Sequence, residues 1–226
     1  MSPFWEKVFY LLSWITQGYT ALSPNVYGKL HRMHHAYADT EKDVHSPKND
    51  KTLVAMMRKT HVIFRGLKTG KVELDKRFCK NLPNWEWMEK YAYNAPTRLL
   101  WTGIYIAMYY FLVPESALWM WGFLPFHFMM TPLQGVIINW FAHRIGYRNF
   151  KVSDTSTNLM PFDVITMGEG YHNNHHAHSG NANFSTKWYE FDLCYPFIAL
   201  FNTLGIITLN KTKAKVNKPL TTLKPA

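Results

Sequence analysis

The sequence predicts an all-α protein, a membrane helical hairpin joined to a histidine-rich helical cap on the cytosolic side. Two apolar stretches, residues 99–113 and 117–142, are separated only by Pro114, Glu115 and Ser116. Basic residues gather at their far ends, with Lys90 and Arg98 before the first and Arg144, Arg148 and Lys151 after the second. Two distant segments, "HRMHH" and "HNNHH", share the spacing HxxHH.

Composition narrows the reading. A chain of 226 residues can bury a sizeable core, and residues 1–226 are taken as a single domain. Its net charge of +10 suits nucleic acid, an anionic membrane surface or the cytoplasmic loops of a membrane protein, and charge alone does not choose among them. Placement does. The basic residues cluster at the hairpin ends, where membrane topology accounts for them, so no nucleic-acid partner is expected. Only two cysteines occur, Cys79 and Cys194, outside any CxxC spacing. That argues against a disulfide framework and a thiolate metal site, and fits a reducing compartment.

In chain order, residues 4–15 are apolar but lack a basic region before them and a small-residue cleavage site after them, so they are not read as an export signal. "HRMHH" sets His31, His34 and His35 on one helix face, because the first, fourth and fifth positions of a helix point together. Residues 53–68 place Arg58, His61, Arg65 and Lys68 on one side, with Met56, Ile63 and Leu67 elsewhere. A helix lying on a membrane surface has this pattern, and so does the solvated face of a soluble helix. Residues 81–96, with Pro83, Pro96 and the aromatics of "NWEWMEKYAY", suit an interfacial connector.

Residues 99–113 are marginal for a bilayer crossing at 15 residues, whereas 117–142 runs 26 residues without a formally charged side chain, against about 20 needed. The short connector forces a hairpin, assigned to residues 97–142, and the positive-inside rule puts both its ends in the cytoplasm. A buried hairpin in a soluble helical domain is the alternative. Pro125, Pro132, Gln134 and Asn139 interrupt the second stretch, which is therefore expected to bend beside a buried site. Residues 211–226 form a basic tail expected to fray.

The segment "GEGYHNNHHAH" adds His172, His175 and His176. Six histidines in two matched sets are hard to explain by packing, and neutral imidazole is a common metal ligand. Cysteine is absent from both segments and histidine exceeds what a closed four-ligand zinc site needs, so two redox-active ions, iron or copper, fit better. Beside membrane helices such a site points to oxygen activation on an apolar substrate. Ferritin-like bundles take a Glu-x-x-His motif from each of two helices, and the clusters hold a single such spacing, Glu169 to His172.

"HRMHHAYADTEKDVHSP", "NWFAHRIGYRNF", "GEGYHNNHHAH" and "KWYEFD" follow one another in an order that resembles the membrane fatty acid desaturases of the acyl-CoA desaturase type, bacterial-like, along almost the whole chain. The resemblance implies a fragment of a four-transmembrane-helix fold, an integral membrane protein whose catalytic part faces the cytoplasm. It implies two iron ions (Fe2+/Fe3+) held by histidine, O2 as co-substrate, and an acyl chain in a kinked apolar tunnel. Carried over residue by residue, the ligands are His31, His34, His35, His143, His172, His175 and His176, and Asn139 approaches one iron through water. Asp39, Asp43 and Glu169 are candidates to orient imidazoles from behind, with surface solvation an equal account of the first two. His61 is read as surface, His45 and His178 as neighbours of ligands, and His127 as a core or cavity residue.

The implied activity is insertion of a double bond into a saturated acyl chain carried by CoA or by a lipid, with electrons from an external ferredoxin or small haem protein. "SPNVYGKL" differs from the animal enzymes where a CoA headgroup would be gripped, so the carrier stays open. The family's first motif, HxxxxH, has no counterpart in residues 1–30, which contain no histidine. The chain is therefore expected to lack the N-terminal part of the domain and, alone, to retain iron weakly. A hydroxylase on the same scaffold and an inactive remnant are the competing readings.

Overall fold

A computed structural model describes residues 1–209, so the basic tail assigned to residues 211–226 lies outside the described residues. Eight α-helices follow in order: α1 (Pro3–Gln17), α2 (Pro24–Tyr37), α3 (Leu53–Lys68), α4 (Glu86–Tyr91), α5 (Ala95–Leu112), α6 (Leu124–Asn139), α7 (His172–Ala177) and α8 (Tyr195–Thr203). Short 3-10 segments lie among them. No strand occurs among the described residues; isolated bridges pair Asn158 with Tyr147 and with Tyr171. The all-helical class is thus as expected. The chain divides into two compact units, with boundaries falling inside α2, α3 and α6.

One unit comprises residues 3–31 and 64–134. Its core is aromatic: Tyr10, Ala21, Met88, Ala92 and Tyr93 are buried, with Trp14 and Trp85 packed against them. Glu89 accepts hydrogen bonds from Tyr10 Oη at 2.8 Å and from Ser23 Oγ, which satisfies the buried hydroxyls. Residues 81–96, expected as an interfacial connector, therefore also contribute core side chains through Met88, Ala92 and Tyr93. Asn94 and Thr97 form a reciprocal capping box that starts α5, with Pro96 in its first turn. Gly18 has φ +56°, and a Cβ there would stand 1.8 Å from Tyr105 Oη, which accepts the Tyr19 N–H at 3.0 Å. Only glycine fits both demands. His127 lies 3.1 Å from Tyr109 Oη and packs on Tyr105, in keeping with its reading as a core or cavity residue.

The stretch expected to form the hairpin departs from a pair of spanning helices. The first apolar stretch becomes α5, but the second is not one helix. Residues Glu115–Phe123 form a 3-10 segment interrupted by Ala117 (φ −128°, ψ 30°), and α-helix resumes only at Leu124 for 16 residues. Gly122 and Pro125 sit at this junction, and Pro132 inside α6 has no N–H to offer the Phe128 carbonyl, so a continuous helix through the stretch is disfavoured. Among the described residues, no helix is long and apolar enough to cross a membrane. Large apolar side chains are nonetheless exposed along α5 to α6, Phe111 at 78% and Trp119 at 69% among them.

The other unit contains residues 32–63 and the described chain from Gly135 onward. α3 takes the span its periodicity predicts: Met56 is fully buried while Arg58, His61, Arg65 and Lys68 are exposed. The interior of this unit is polar. His34, Asp43, Ser46, Asn158, Asp163, His172, Asn173 and Asn174 are all essentially inaccessible. Burying such groups is costly unless each finds a partner, so their partners define what the unit is built to hold.

Candidate metal centre

Three elements deliver the imidazoles. α2 carries His34 and His35, the 3-10 turn Phe141–His143 after α6 carries His143, and α7 carries His172, His175 and His176. One nitrogen from each of His34, His143, His172 and His176 lies within 4.8 Å of the others. The Nε2 atoms of His34 and His176 are 3.2 Å apart, and those of His143 and His172 are 3.1 Å apart. His35 and His175 form a further Nε2–Nε2 pair at 2.8 Å. His31 stands one turn before His35 on α2, its ring stacked on Tyr27.

The far side of these rings decides their protonation. His34 Nδ1 lies 2.9 Å from Asp43 Oδ1, both side chains wholly inaccessible, and His176 Nδ1 lies 3.0 Å from Asp154 Oδ2. His143 Nδ1 is 3.3 Å from Thr155 Oγ1 and 4.0 Å from Asp39 Oδ1. A carboxylate only accepts, so the proton of His34 and of His176 resides on Nδ1 and each Nε2 presents a lone pair. Two lone pairs 3.2 Å apart repel. A cation between them turns that repulsion into coordination, so the donor set fits a metal ion by its own geometry.

Electrostatics agree. Burial pushes the His143 imidazole down to about 3, and the nearby His176 and His34 rings add to the effect. Burial likewise lowers His172 and His176, in the latter against the pull of Asp154. His143, His172 and His176 are thus neutral and ligand-competent at neutral pH. Burial would raise the Asp154 carboxyl, but hydrogen bonds from His176 and Ser156 hold it well below the usual range. Asp39 is lowered in the same way, its burial outweighed by Ser46 and Thr155.

The supports are cross-linked. Asp39 adopts φ +60° and donates its N–H to Asp43 Oδ2 at 2.8 Å, while Ser46 Oγ and the Thr155 N–H both donate to the Asp39 carboxylate. Loop 39–46 therefore couples the residues behind His34 and His143. α7, only six residues long, is held by its two asparagines. Asn173 accepts from the N–H groups of Asn149 and Phe150, and Asn174 donates to Glu190 at 2.9 Å. Glu190 also accepts from Tyr147 Oη and Asn149 Nδ2, and from the N–H groups of Thr186 and Lys187. Before α7, a Cβ at Gly170 would come within 2.8 Å of Asp163 Oδ2, which accepts the Gly170 N–H at 2.7 Å.

Of the residues singled out in the sequence, Asp43 and Asp39 do stand behind imidazoles. For Glu169, burial, with Asp192 and Asp163 close by, pushes the carboxyl up to about 7. The side chain of Asn139 donates to the Gly135 carbonyl at 2.9 Å. His45 stacks on His34 at 4.4 Å, whereas His178 packs on Phe150 at 4.7 Å, and His61 is exposed. Sequence reasoning missed Asp154. Its signal was isolation, since it is the sole acidic residue between Glu115 and Asp163. Asn173, Asn174 and Glu190 were also missed.

The profile of the fatty acid desaturase family matches residues 2–201. Delta-9 desaturase-like 3 protein from Arabidopsis thaliana is 30% identical over 79% of this chain and 56% of its own length. The sn-1 stearoyl-lipid 9-desaturase of Anabaena variabilis is 28% identical over 79% of the chain and 61% of its own length. Acyl-CoA C20 Delta5-desaturase from Anemone leveillei is 28% identical over 83% and 57% respectively. The chain thus spans about 60% of the length of the curated relatives it matches. No solved structure matches it significantly. Paired histidine clusters backed by carboxylates and a family match along nearly all its length lead to one assignment: the chain belongs to the fatty acid desaturase family, a family of oxidoreductases.

Proposed function

We propose that this protein takes part in O2-dependent desaturation of a saturated fatty acyl chain at a di-iron centre. The observation that carries the reading is the convergence of Nε2 lone pairs, fixed by Asp43 and Asp154, in a buried all-histidine cluster. His34, His143, His172 and His176 would hold one iron, and His31, His35 and His175 would contribute to a second, with Asn139 reaching an iron through water. Bound iron with O2 supplies the oxidising power that unactivated methylene groups require, since no side-chain base can remove their hydrogens.

The chain's own residues do the rest. Asp43 and Asp154 keep the proton on Nδ1 of His34 and His176, so Nε2 stays free to ligate. Asp39, bridging Ser46 and Thr155, sets the position of His143. Removing two hydrogens from the acyl chain supplies two of the four electrons that reduce O2 to two water molecules. The other two electrons come from an external carrier, a ferredoxin or small haem protein, and the two protons come from solvent. The named relatives act on lipid-borne and CoA-borne chains, and both carriers are open to this protein. Residues 97–142 are proposed as a membrane hairpin, with the histidine-bearing unit facing the cytoplasm. The exposed apolar side chains of α5 and α6 and the basic residues flanking them support this.

The test is product analysis in membranes expressing the protein and supplied with saturated fatty acids, alongside iron analysis of the purified protein. Loss of two hydrogens from the acyl product is expected, with an iron content that drops in His34→Ala and His175→Ala. Gain of one oxygen would point instead to a hydroxylase, and an iron-free protein would end the proposal.

A further inference from the structure

Within the histidine-bearing unit, α3 is buried on one side only. Met56 is wholly inaccessible, while Val54 is 72% and Val62 63% exposed, with Arg58 exposed between them. Spacing of four residues stacks Val54, Arg58 and Val62 into one ridge along the helix, and Ala55, Lys59 and Ile63 into the next. The two ridges, with Thr52, line an open groove.

The charge on this helix has a single sign. α3 contains Arg58, Lys59, His61, Arg65 and Lys68 and no aspartate or glutamate. Lys59 is engaged, donating to the Asp43 carbonyl at 3.0 Å with Asp50 at 3.9 Å. Among the described residues, Arg58 has neither an ion-pair nor a hydrogen-bond partner for its side chain. A solvated helix face commonly mixes both signs, because Glu and Lys four residues apart support each other. This face instead alternates exposed valine with an unpaired cation.

We propose that the ridge of Val54, Arg58 and Val62, with the groove beside it, seats α3 on an anionic phospholipid surface. Charge complementarity selects this occupant, since a leaflet carrying anionic lipid attracts a helix that has only basic charge. The same leaflet accepts the valines at its acyl boundary, while Arg58 lays its methylenes between them and keeps its guanidinium at the phosphates. A protein partner fits less well. The ridge from Val54 to Val62 is about 12 Å long on a helix about 10 Å across, far below the roughly 800 Å² per partner of a stable protein interface. A lipid contact has no such minimum, because it adds to the membrane attachment proposed for residues 97–142. The inference rests on that attachment and not on the reaction.

The test places bimane on Ala55→Cys, in the groove, in the full protein with Cys79→Ser and Cys194→Ser. The protein is reconstituted in phosphatidylcholine bilayers with or without phosphatidylserine. With phosphatidylserine, lipid doxyl-labelled near the headgroup is expected to quench the bimane, and aqueous acrylamide is not. Quenching by the doxyl lipid should be lost without phosphatidylserine, at high salt, in Arg58→Glu and in Val54→Ser/Val62→Ser, and kept in Arg58→Lys. The comparison of lipids needs no ridge variant, so it stands even where a variant misfolds. A bimane open to acrylamide in phosphatidylserine bilayers, equal doxyl quenching with and without phosphatidylserine, or shielding from acrylamide without doxyl quenching would each overturn the proposal. Flotation with the vesicles reads membrane attachment separately. Protein that floats with its bimane unquenched would refute the α3 contact and leave the hairpin, whereas flotation that requires both phosphatidylserine and Arg58 would refute the hairpin and leave the α3 contact.

Discussion

Asp43 and Asp154 perform the same service for different imidazoles, and each reaches its histidine at hydrogen-bonding distance. Replacing Asp154 by Asn lets the amide donate to His176, favouring the proton on Nε2 and blocking ligation. Metal affinity should fall about 10–100-fold, read by chelator competition, with less change in fold stability. His143 gives a pH signature of the metal-free protein. Above pH 6.5 its ring is neutral folded or unfolded, but between 6.5 and about 3 the unfolded chain takes up a proton that the folded one excludes. Stability should therefore decline as pH falls through this window, by about 1.4 kcal/mol per pH unit for this residue, in denaturant titrations of the stripped protein. A flat profile would contradict the buried neutral ring. The histidines were legible because HxxHH repeats. Asp154 was not, because its relation to His176 depends on a loop whose path no local pattern specifies.

At the scale of elements, α7 is too short to be stable by itself, and its two asparagines are the reason it stays in place. Glu190 anchors Asn174 directly and Asn173 only through Asn149. Glu190→Ala would leave Tyr147 Oη without its acceptor and take one acceptor each from Asn149 and Asn174, costing about 3 kcal/mol in urea unfolding and loosening the α7 histidines. Gly170→Ala should also destabilise, because a Cβ 2.8 Å from Asp163 must displace a carboxylate that holds four groups of its own loop. α3 could be read from the sequence because a 3.6-residue pattern ran its full length. The run 117–142 could not, since uniform apolarity says nothing of where the backbone breaks, and the break at Ala117 is a matter of local dihedrals.

For the whole molecule, the two units contrast in what they bury. One unit buries aromatic residues while exposing apolar helix faces; the other buries histidine, aspartate and asparagine. Purification should require detergent, and dilution below its critical micelle concentration should cause aggregation visible by light scattering. Composition conveyed this contrast, but the allocation of polar groups to the interior depended on long-range partners such as Thr155 with Asp39. The opposed nitrogens of His34 and His176 carry one more implication. The iron proposed to bind there would act as a rivet through two distant parts of the polypeptide, so iron supply would govern how long the protein survives in a cell. Starved of iron, the chain should turn over faster than in replete cells, and pulse-chase labelling would reveal the difference.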